Sequence, residues 1–263
     1  MKRPLIAAIN ALAVFAVMLF LWQLIVWLFR VPEFMLPSPL EVASVIASRF
    51  SPLVESLLIT AEAAAGGLVL SIVAGMAVAL VFAQSPWLRR MLYPYTILLQ
   101  TVPIIAIAPL ILMWVGPGIG SVTLVAFIIC LAPIIANTTQ GLISVEENLI
   151  HLFLMHNASP SQILLRLRLP NAMPNLFVGI RISAGIAVIG AITGELFAGS
   201  SRVGQGGLGY SILYASAQLQ TDYLFALVLA ATILGFVFFF LATFFEWYFL
   251  HRWHASKRQL EAL

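Results

Sequence analysis

Hydrophobic and polar positions along this chain do not alternate; they separate into long blocks. Residues 9–29, 58–83, 92–115, 119–140, 175–199 and 223–249 are almost continuously apolar. A helix rises about 1.5 Å per residue, so about 20 residues cross about 30 Å of hydrocarbon, and each block is long enough. Continuous runs, with no period of two, argue against the strands of a membrane barrel. The pattern therefore predicts an all-α, polytopic membrane protein with six transmembrane helices. The breaks carry turn chemistry, as at Ser85-Pro86 and Gly116-Pro117-Gly118, and Pro103, Pro109 and Pro133 predict kinks inside spans. The first block follows Met1-Lys2-Arg3 as a secretory leader would. It is longer than the usual h-region of about 7–15 residues and no small-x-small cleavage site follows, so it reads as an uncleaved anchor helix.

Composition agrees: 62% of residues are apolar and 9% charged, against about 45–50% and about 25% in soluble domains. So much apolar surface needs lipid as its solvent. The placement of Lys and Arg then orients the spans. If both termini share a side, that side holds Lys2, Arg3, Arg89, Arg90, Arg166, Arg168, Arg181, Arg252, Lys257 and Arg258, and the other only Arg30, Arg49 and Arg202. Ten against three puts both termini in the cytoplasm of a multi-pass cell inner (plasma) membrane protein. The single cysteine, Cys130, lies in an apolar run, offers no intrachain disulfide, and reads as a small hydrophobe.

Two connections are long. Residues 30–57 fall outside, with a Pro-rich entry (Pro32, Pro37, Pro39) and a short surface helix from Leu40 to Phe50. Residues 141–174 fall inside, between the fourth and fifth spans, and a loop of that length in a compact protein is usually functional. Within it a helix begins at Glu146-Glu147, carries His151, Leu152 and Phe153, and stops at Asn157, a residue that tolerates the left-handed conformation of helix ends. Ser159-Pro160 supplies an N-cap and a first-turn proline for a second short helix, which runs to Arg168 and breaks near Leu169-Pro170. Two short helices with uncovered apolar side chains form either a knob facing the cytosol or a pair lying on lipid headgroups.

The same loop resembles the cytoplasmic signature of the permease subunits of binding-protein-dependent ATP-binding-cassette (ABC) importers. That signature reads Glu-Ala-Ala, three residues, Gly, nine residues, Ile, one residue, Leu-Pro. Counting back from Leu169-Pro170 sets Leu167 at the Ile position, Asn157 at the Gly position (followed by Ala158), and His151, Leu152 and Phe153 at Glu-Ala-Ala. Spacing and the Leu-Pro end fit, whereas the Glu, both Ala and the Gly are replaced. The resemblance extends over most of the chain: Leu36-Pro37-Ser38-Pro39, Val102-Pro103 with Ala108-Pro109-Leu110, Trp114-Val115-Gly116, Pro174, Gly179-Ile180-Arg181 and Gly207-Leu208-Gly209-Tyr210 follow the family's order. It is nearest the branch importing nitrate, taurine and alkanesulfonates, and in some members pyrimidine or riboflavin-type vitamin precursors. The resemblance implies a single permease domain over 1–263, with a coupling loop at about 145–172. It implies a cytoplasmic ABC ATPase carrying ATP and Mg, an external solute-binding protein, and a second permease copy or homologue. The altered loop leaves the strength of ATPase docking open.

Other patterns are weighed against this reading. Gly204-x-Gly206-x-x-Gly209 copies the dinucleotide fingerprint, but a membrane span rather than a strand precedes it and no βαβ unit surrounds it, so a tight re-entrant or gate-forming loop is expected, with Gly207 and Gly209 as gate candidates. Glu195, near the outer end of the fifth span, is expensive in lipid and either lines a pathway or gate, or makes a structural hydrogen bond to a neighbouring helix or snorkels to the interface. Glu62 and Glu246 read as structural. His151, His156, His251 and His254 have no carboxylate or thiolate to complete a metal site, and His251 with Trp247, Tyr248 and Trp253 reads as an interfacial belt. No Ser-His-Asp, Cys-His or paired-carboxylate set shares a plausible face, and nothing reads G-x-x-x-x-G-K-[ST], so no catalysis, cofactor or nucleic-acid binding is expected of this chain itself. An ATP-independent carrier and a non-transporting membrane scaffold are the rival readings.

Overall fold

The structure, a computed structural model, describes residues 2–198 and 206–251. Among these residues it is all helical. The helices run α1 (Lys2–Phe29), α2 (Pro39–Ser48), α3 (Phe50–Gln84), α4 (Pro86–Thr101), α5 (Ile104–Val115), α6 (Ile119–Ile143), α7 (Glu147–Met155), α8 (Pro160–Ile163), α9 (Leu169–Ala198), α10 (Leu208–Ala217) and α11 (Thr221–Leu250). Four described helical segments are long and apolar enough to cross a membrane, or five if the bent pair α4–α5 counts as one. The described apolar part of α1 is shorter, at Ala16–Phe29.

The core is a sandwich of α3, α6 and α9, with α6 in the middle. Small residues make it possible. Ser56, Thr60, Ala63, Ala64, Gly67, Ser71, Gly75 and Ala79 form the buried stripe of α3, at the three- and four-residue spacing of one helix face. A Cβ on Gly67 would lie 2.6 Å from Ala126 Cβ, and one on Gly190 of α9 would lie 2.9 Å from Ala126 Cα, so both neighbours press on the same point of α6. In lipid no hydrophobic effect drives helices together, and such close backbone packing supplies the attraction instead. Hydrogen bonds add to it: Ser71 Oγ lies 2.8 Å from Phe127 O, and the Ser183 hydroxyl donates to Cys130 O (3.0 Å) while the Cys130 thiol donates to Ser183 O (3.3 Å). Cys130 thus behaves as the small core residue expected.

Three expectations need correction. The block 92–115 carries more than the kink expected at Pro103: it divides into two helices, α4 and α5, that meet at 100° across Val102 and Pro103. Proline has no N–H and excludes the helical conformation from the residue before it, and Val102 is accordingly extended (φ −69°, ψ 123°). Pro109 and Pro133, by contrast, lie inside unbroken helices. Second, there is no break at Leu169-Pro170. Residues 164–168 form a π turn that closes on the Leu169 N–H to Leu164 O bond and runs directly into α9. Its wider ring is the kind of adjustment that accommodates a proline without ending the helix. Third, the fifth apolar block, 175–199, is the outer part of a helical run from Pro160 to Ala198.

The short outer helix is present as α2, two residues shorter at its C-terminal end than Leu40–Phe50. Ser38 caps it with a full capping box, accepting from Glu41 N (3.3 Å) while its own N–H donates to Glu41 Oε2 (2.6 Å). Both ends of α2 are pinned near the α10–α11 turn: Thr221 Oγ1 donates to Phe34 O in the loop before it (2.8 Å), and Arg49, just after it, donates to Gln220 Oε1 (2.6 Å).

Candidate functional site

The residues singled out from sequence fall into two places at opposite ends of α9. At one end, α7 and α8 form a hairpin. α7 ends in a Schellman motif: Asn157 takes φ +55°, its N–H donates to Leu154 O (2.9 Å), and Ala158 N–H donates to Phe153 O (3.0 Å). Asparagine therefore serves the left-handed position for which the family signature carries glycine. Ser159 then caps α8 through a capping box with Gln162, and Pro160 takes the first helical position. Both ends of the turn are thus closed by local bonds.

That closure leaves the outer face of α7 uncovered. Leu149, Leu152, Leu154 and Met155 are exposed, Met155 at 81%. His151 and Asn157 are exposed too, whereas Phe153, Ala158, Leu167, Leu169 and Pro170 are half-buried. The segment that follows the hairpin is fixed to the bundle. Arg168 Nη1 donates to Ala83 O at the end of α3 (2.8 Å), and Asn171 Nδ2 donates to Gly141 O at the end of α6 (3.0 Å). A cavity of about 410 Å³ separates α7–α8 from Ala83, Gln84 and Pro86.

At the other end, Glu195 lies three residues before the close of α9 and is 4% exposed. Its Oε2 accepts from Gly209 N–H (2.8 Å) and lies 2.9 Å from Thr60 Oγ1 on α3. Thr60 Oγ1 accepts from Leu208 N–H (2.8 Å), and Ser56 Oγ meets Ser211 Oγ at 2.9 Å. The physical reason is at the start of α10. Its N-cap is Gly207, which has no side chain to accept the first free N–H groups of the helix. Glu195 and Thr60 serve as that cap from two other helices, and a carboxylate at a helix N-terminus is electrostatically favoured. Gly207 and Gly209 permit the approach, since a Cβ at either would collide with the Glu195 carboxylate or with Ile192 O and Glu195 Cβ. Glu195 Oε1 is buried without a hydrogen-bond partner among the described residues.

Gly207 and Gly209 thus meet Glu195, while Gly204 and Arg202 lie outside the described residues. No His, Cys, Asp and Glu group among the described residues could hold a metal. His251 stacks on Trp247 (4.9 Å between centroids) and its Nδ1 lies 3.0 Å from Trp247 O, while Trp253 and His254 lie outside the described residues. Glu246 is 2.9 Å from Arg181 Nη1, an α9–α11 ion pair. Sequence reasoning missed Thr60 as a partner of Glu195, the Ser56–Ser211 pair beside it, and Arg168 as the tie to α3. The four-residue spacing of Ser56 and Thr60 was the available signal for the first two. Nothing local announces that Arg168 reaches a carbonyl 85 residues away.

Comparison with known proteins adds to this geometry. The family described as "Binding-protein-dependent transport system inner membrane component" matches residues 67–253. A riboflavin transport system permease protein of Chloroflexus aurantiacus is 34% identical over 245 residues, covering 91% of this chain and 88% of the relative. A formylaminopyrimidine transport permease protein of Halalkalibacterium halodurans is 32% identical over 240 residues, covering 89% and 92%. The fold is similar to a chain of the inward-facing MetNI methionine ABC transporter, with a TM-score of 0.63 and 20% identity over 76% of this chain and 96% of that one.

Proposed function

Because the chain belongs to the inner-membrane components of binding-protein-dependent transport systems and is a permease subunit of an ABC importer for a small solute, we propose that the α7–α8 hairpin receives the ATPase and that the Glu195 site holds the outer gate. The observation that carries the first half is a row of large apolar side chains, Leu149, Leu152 and Met155, uncovered on a hairpin whose own turn is fully closed. A self-sufficient turn with an uncovered apolar face is built for a partner. In this reading ATP and Mg bind on the partner subunit, and a second permease copy or homologue completes the pathway.

Both termini face the cytoplasm in this reading, supported by ten Lys/Arg on that side against three on the other. Six spans follow if α1 crosses as its full length would permit, and if α4–α5 acts as one broken span. The solute is a heteroaromatic vitamin precursor delivered by an external binding protein, a reading supported by the riboflavin and formylaminopyrimidine permeases among the relatives. Sulfonate and taurine permeases, at 30% and 27% identity, keep small anions as the second class.

Affinity purification of the chain from its native membrane in mild detergent, followed by mass spectrometry, tests the hairpin. The wild-type chain is expected to carry a stoichiometric ATPase, and Leu152→Glu with Met155→Glu to lose it while still eluting as a folded species. An ATPase retained at wild-type levels by the double variant would move the docking surface elsewhere, and no ATPase on the wild type after crosslinking would advance the carrier or scaffold readings.

A further inference from the structure

At the bundle end that carries the α7–α8 hairpin, a second cavity of about 300 Å³ opens between the start of α4 and the end of α6. Its polar lining is Arg89, Arg90 and Tyr93 from α4, with Thr139 and Gln140 from α6. No carboxylate lines it, and among the described residues neither arginine has an ion-pair partner, the one such pair being Arg181–Glu246. Thr139 is 1% exposed and its hydroxyl has no hydrogen-bond partner among the described residues. A threonine in a helix can bond its hydroxyl back to the preceding turn, as Thr193, Thr232 and Thr243 do here. Thr139 does not, and it lines the same cavity as Arg89 and Arg90.

Uncompensated arginines, a free buried hydroxyl and an amide around one cavity form a receptor for an oxyanion. Arginine presents a planar fork of donors that matches phosphate, and its hydrogen bonds to an ionised acceptor are the strong ones. The surroundings say which oxyanion. Trp87, Met91 and Leu92 on the same helix are exposed apolar side chains, so the cavity mouth adjoins a surface suited to acyl chains. Basic pockets between helices at the cytoplasmic face suit anionic headgroups.

We propose that Arg89, Arg90, Tyr93, Thr139 and Gln140 form a binding pocket for a phosphate-type oxyanion, supplied by the headgroup of an anionic lipid of the leaflet on the hairpin side. The orientation proposed above decides only whether that leaflet is the cytoplasmic one; the pocket chemistry does not depend on it. A lipid held there would bridge α4 and α6, the helices that precede and follow α5.

Native mass spectrometry of the assembled importer, released from nanodiscs of phosphatidylglycerol or of phosphatidylcholine, tests the pocket. The wild type is expected to retain phosphatidylglycerol at one per permease chain and phosphatidylcholine at none. Arg89→Gln with Arg90→Gln should reduce that retention about tenfold or more, and Thr139→Val about threefold. Arg166→Gln, which removes an exposed cation of the hairpin region, should change nothing. If inorganic phosphate titrated into the detergent-solubilised complex binds the wild type and not the double variant, with no lipid retained, the pocket stands and its ligand is a free anion. Equal retention of phosphatidylglycerol by wild type and double variant, with no phosphate binding, would overturn the proposal. Cysteine-accessibility mapping of the termini reads the orientation separately, so its failure is distinguishable from failure of the pocket.

Discussion

The α7–α8 hairpin and the outer end of α9 place polar and apolar groups in opposite ways. In the hairpin, apolar side chains are left uncovered while the backbone closes on itself within a few residues, through the Schellman bonds at Asn157 and the capping box at Ser159. At the outer end a carboxylate is buried, and α10 begins on a glycine that cannot cap it, so its free N–H groups are satisfied by Glu195 and Thr60 from 14 and 148 residues away. The first region is locally complete and can be altered without disturbing the rest. The second exists only when α3, α9 and α10 are all in place, so its chemistry is a readout of assembly.

Substitutions should separate the two regions sharply. Glu195→Ala strands the Gly209 N–H in a buried site and is expected to cost the folded chain about 2–4 kcal/mol, since losing one partner of a charged buried bond costs more than the bond is worth; thermal unfolding in detergent checks it. Glu195→Gln keeps an acceptor oxygen for Gly209, so assembly should survive, and solute uptake in vesicles then asks whether the charge has a use beyond capping. Gly209→Ala forces a Cβ against Ile192 O and should cost about 1–3 kcal/mol by overpacking, read in the same assay. Thr60→Val removes the acceptor of Leu208 N–H and should cost about 1–3 kcal/mol. In the hairpin, Asn157→Val sets a β-branched residue at φ +55° and should cost about 1–2 kcal/mol, while Asn157→Gly should be neutral or stabilising. Leu152→Glu, at 49% exposure, should shift stability by less than about 0.5 kcal/mol. A Leu152→Glu variant as unstable as Glu195→Ala would erase the contrast.

The same contrast explains what could be read from the chain alone. Block hydropathy marks where membrane helices lie because the cost of lipid exposure is paid residue by residue. Asn157 and Ser159-Pro160 announce their turn because capping is a local transaction between near neighbours. The π turn at 164–168 is invisible because a proline at 170 argues equally for a break and for an adjustment, and packing against the ends of α3 and α6 decides. The 100° bend at Val102-Pro103 was legible as a proline but not as an angle, since Pro109 and Pro133 carry the same signal inside continuous helices. Glu195 was recognisable as a costly charge, yet its partners come from α3 and from beyond the end of α9. No window of sequence contains all of them.

The π turn also fixes an azimuth. A π turn takes up one residue more than an α turn, and each residue of an α-helix advances the side-chain direction by about 100°. Because the helix runs on from Pro160 to Ala198, the direction faced by the hairpin is set, in phase, against the direction faced by Glu195, about 50 Å further along at 1.5 Å per residue. One residue deleted between Leu164 and Arg168 would leave every cap and every apolar side chain present while turning the two ends relative to each other by a quarter of a revolution or more. The hairpin would then offer its leucines to the wrong quarter of space, so the chain is sensitive at that point to a unit of length in a way that its composition does not register.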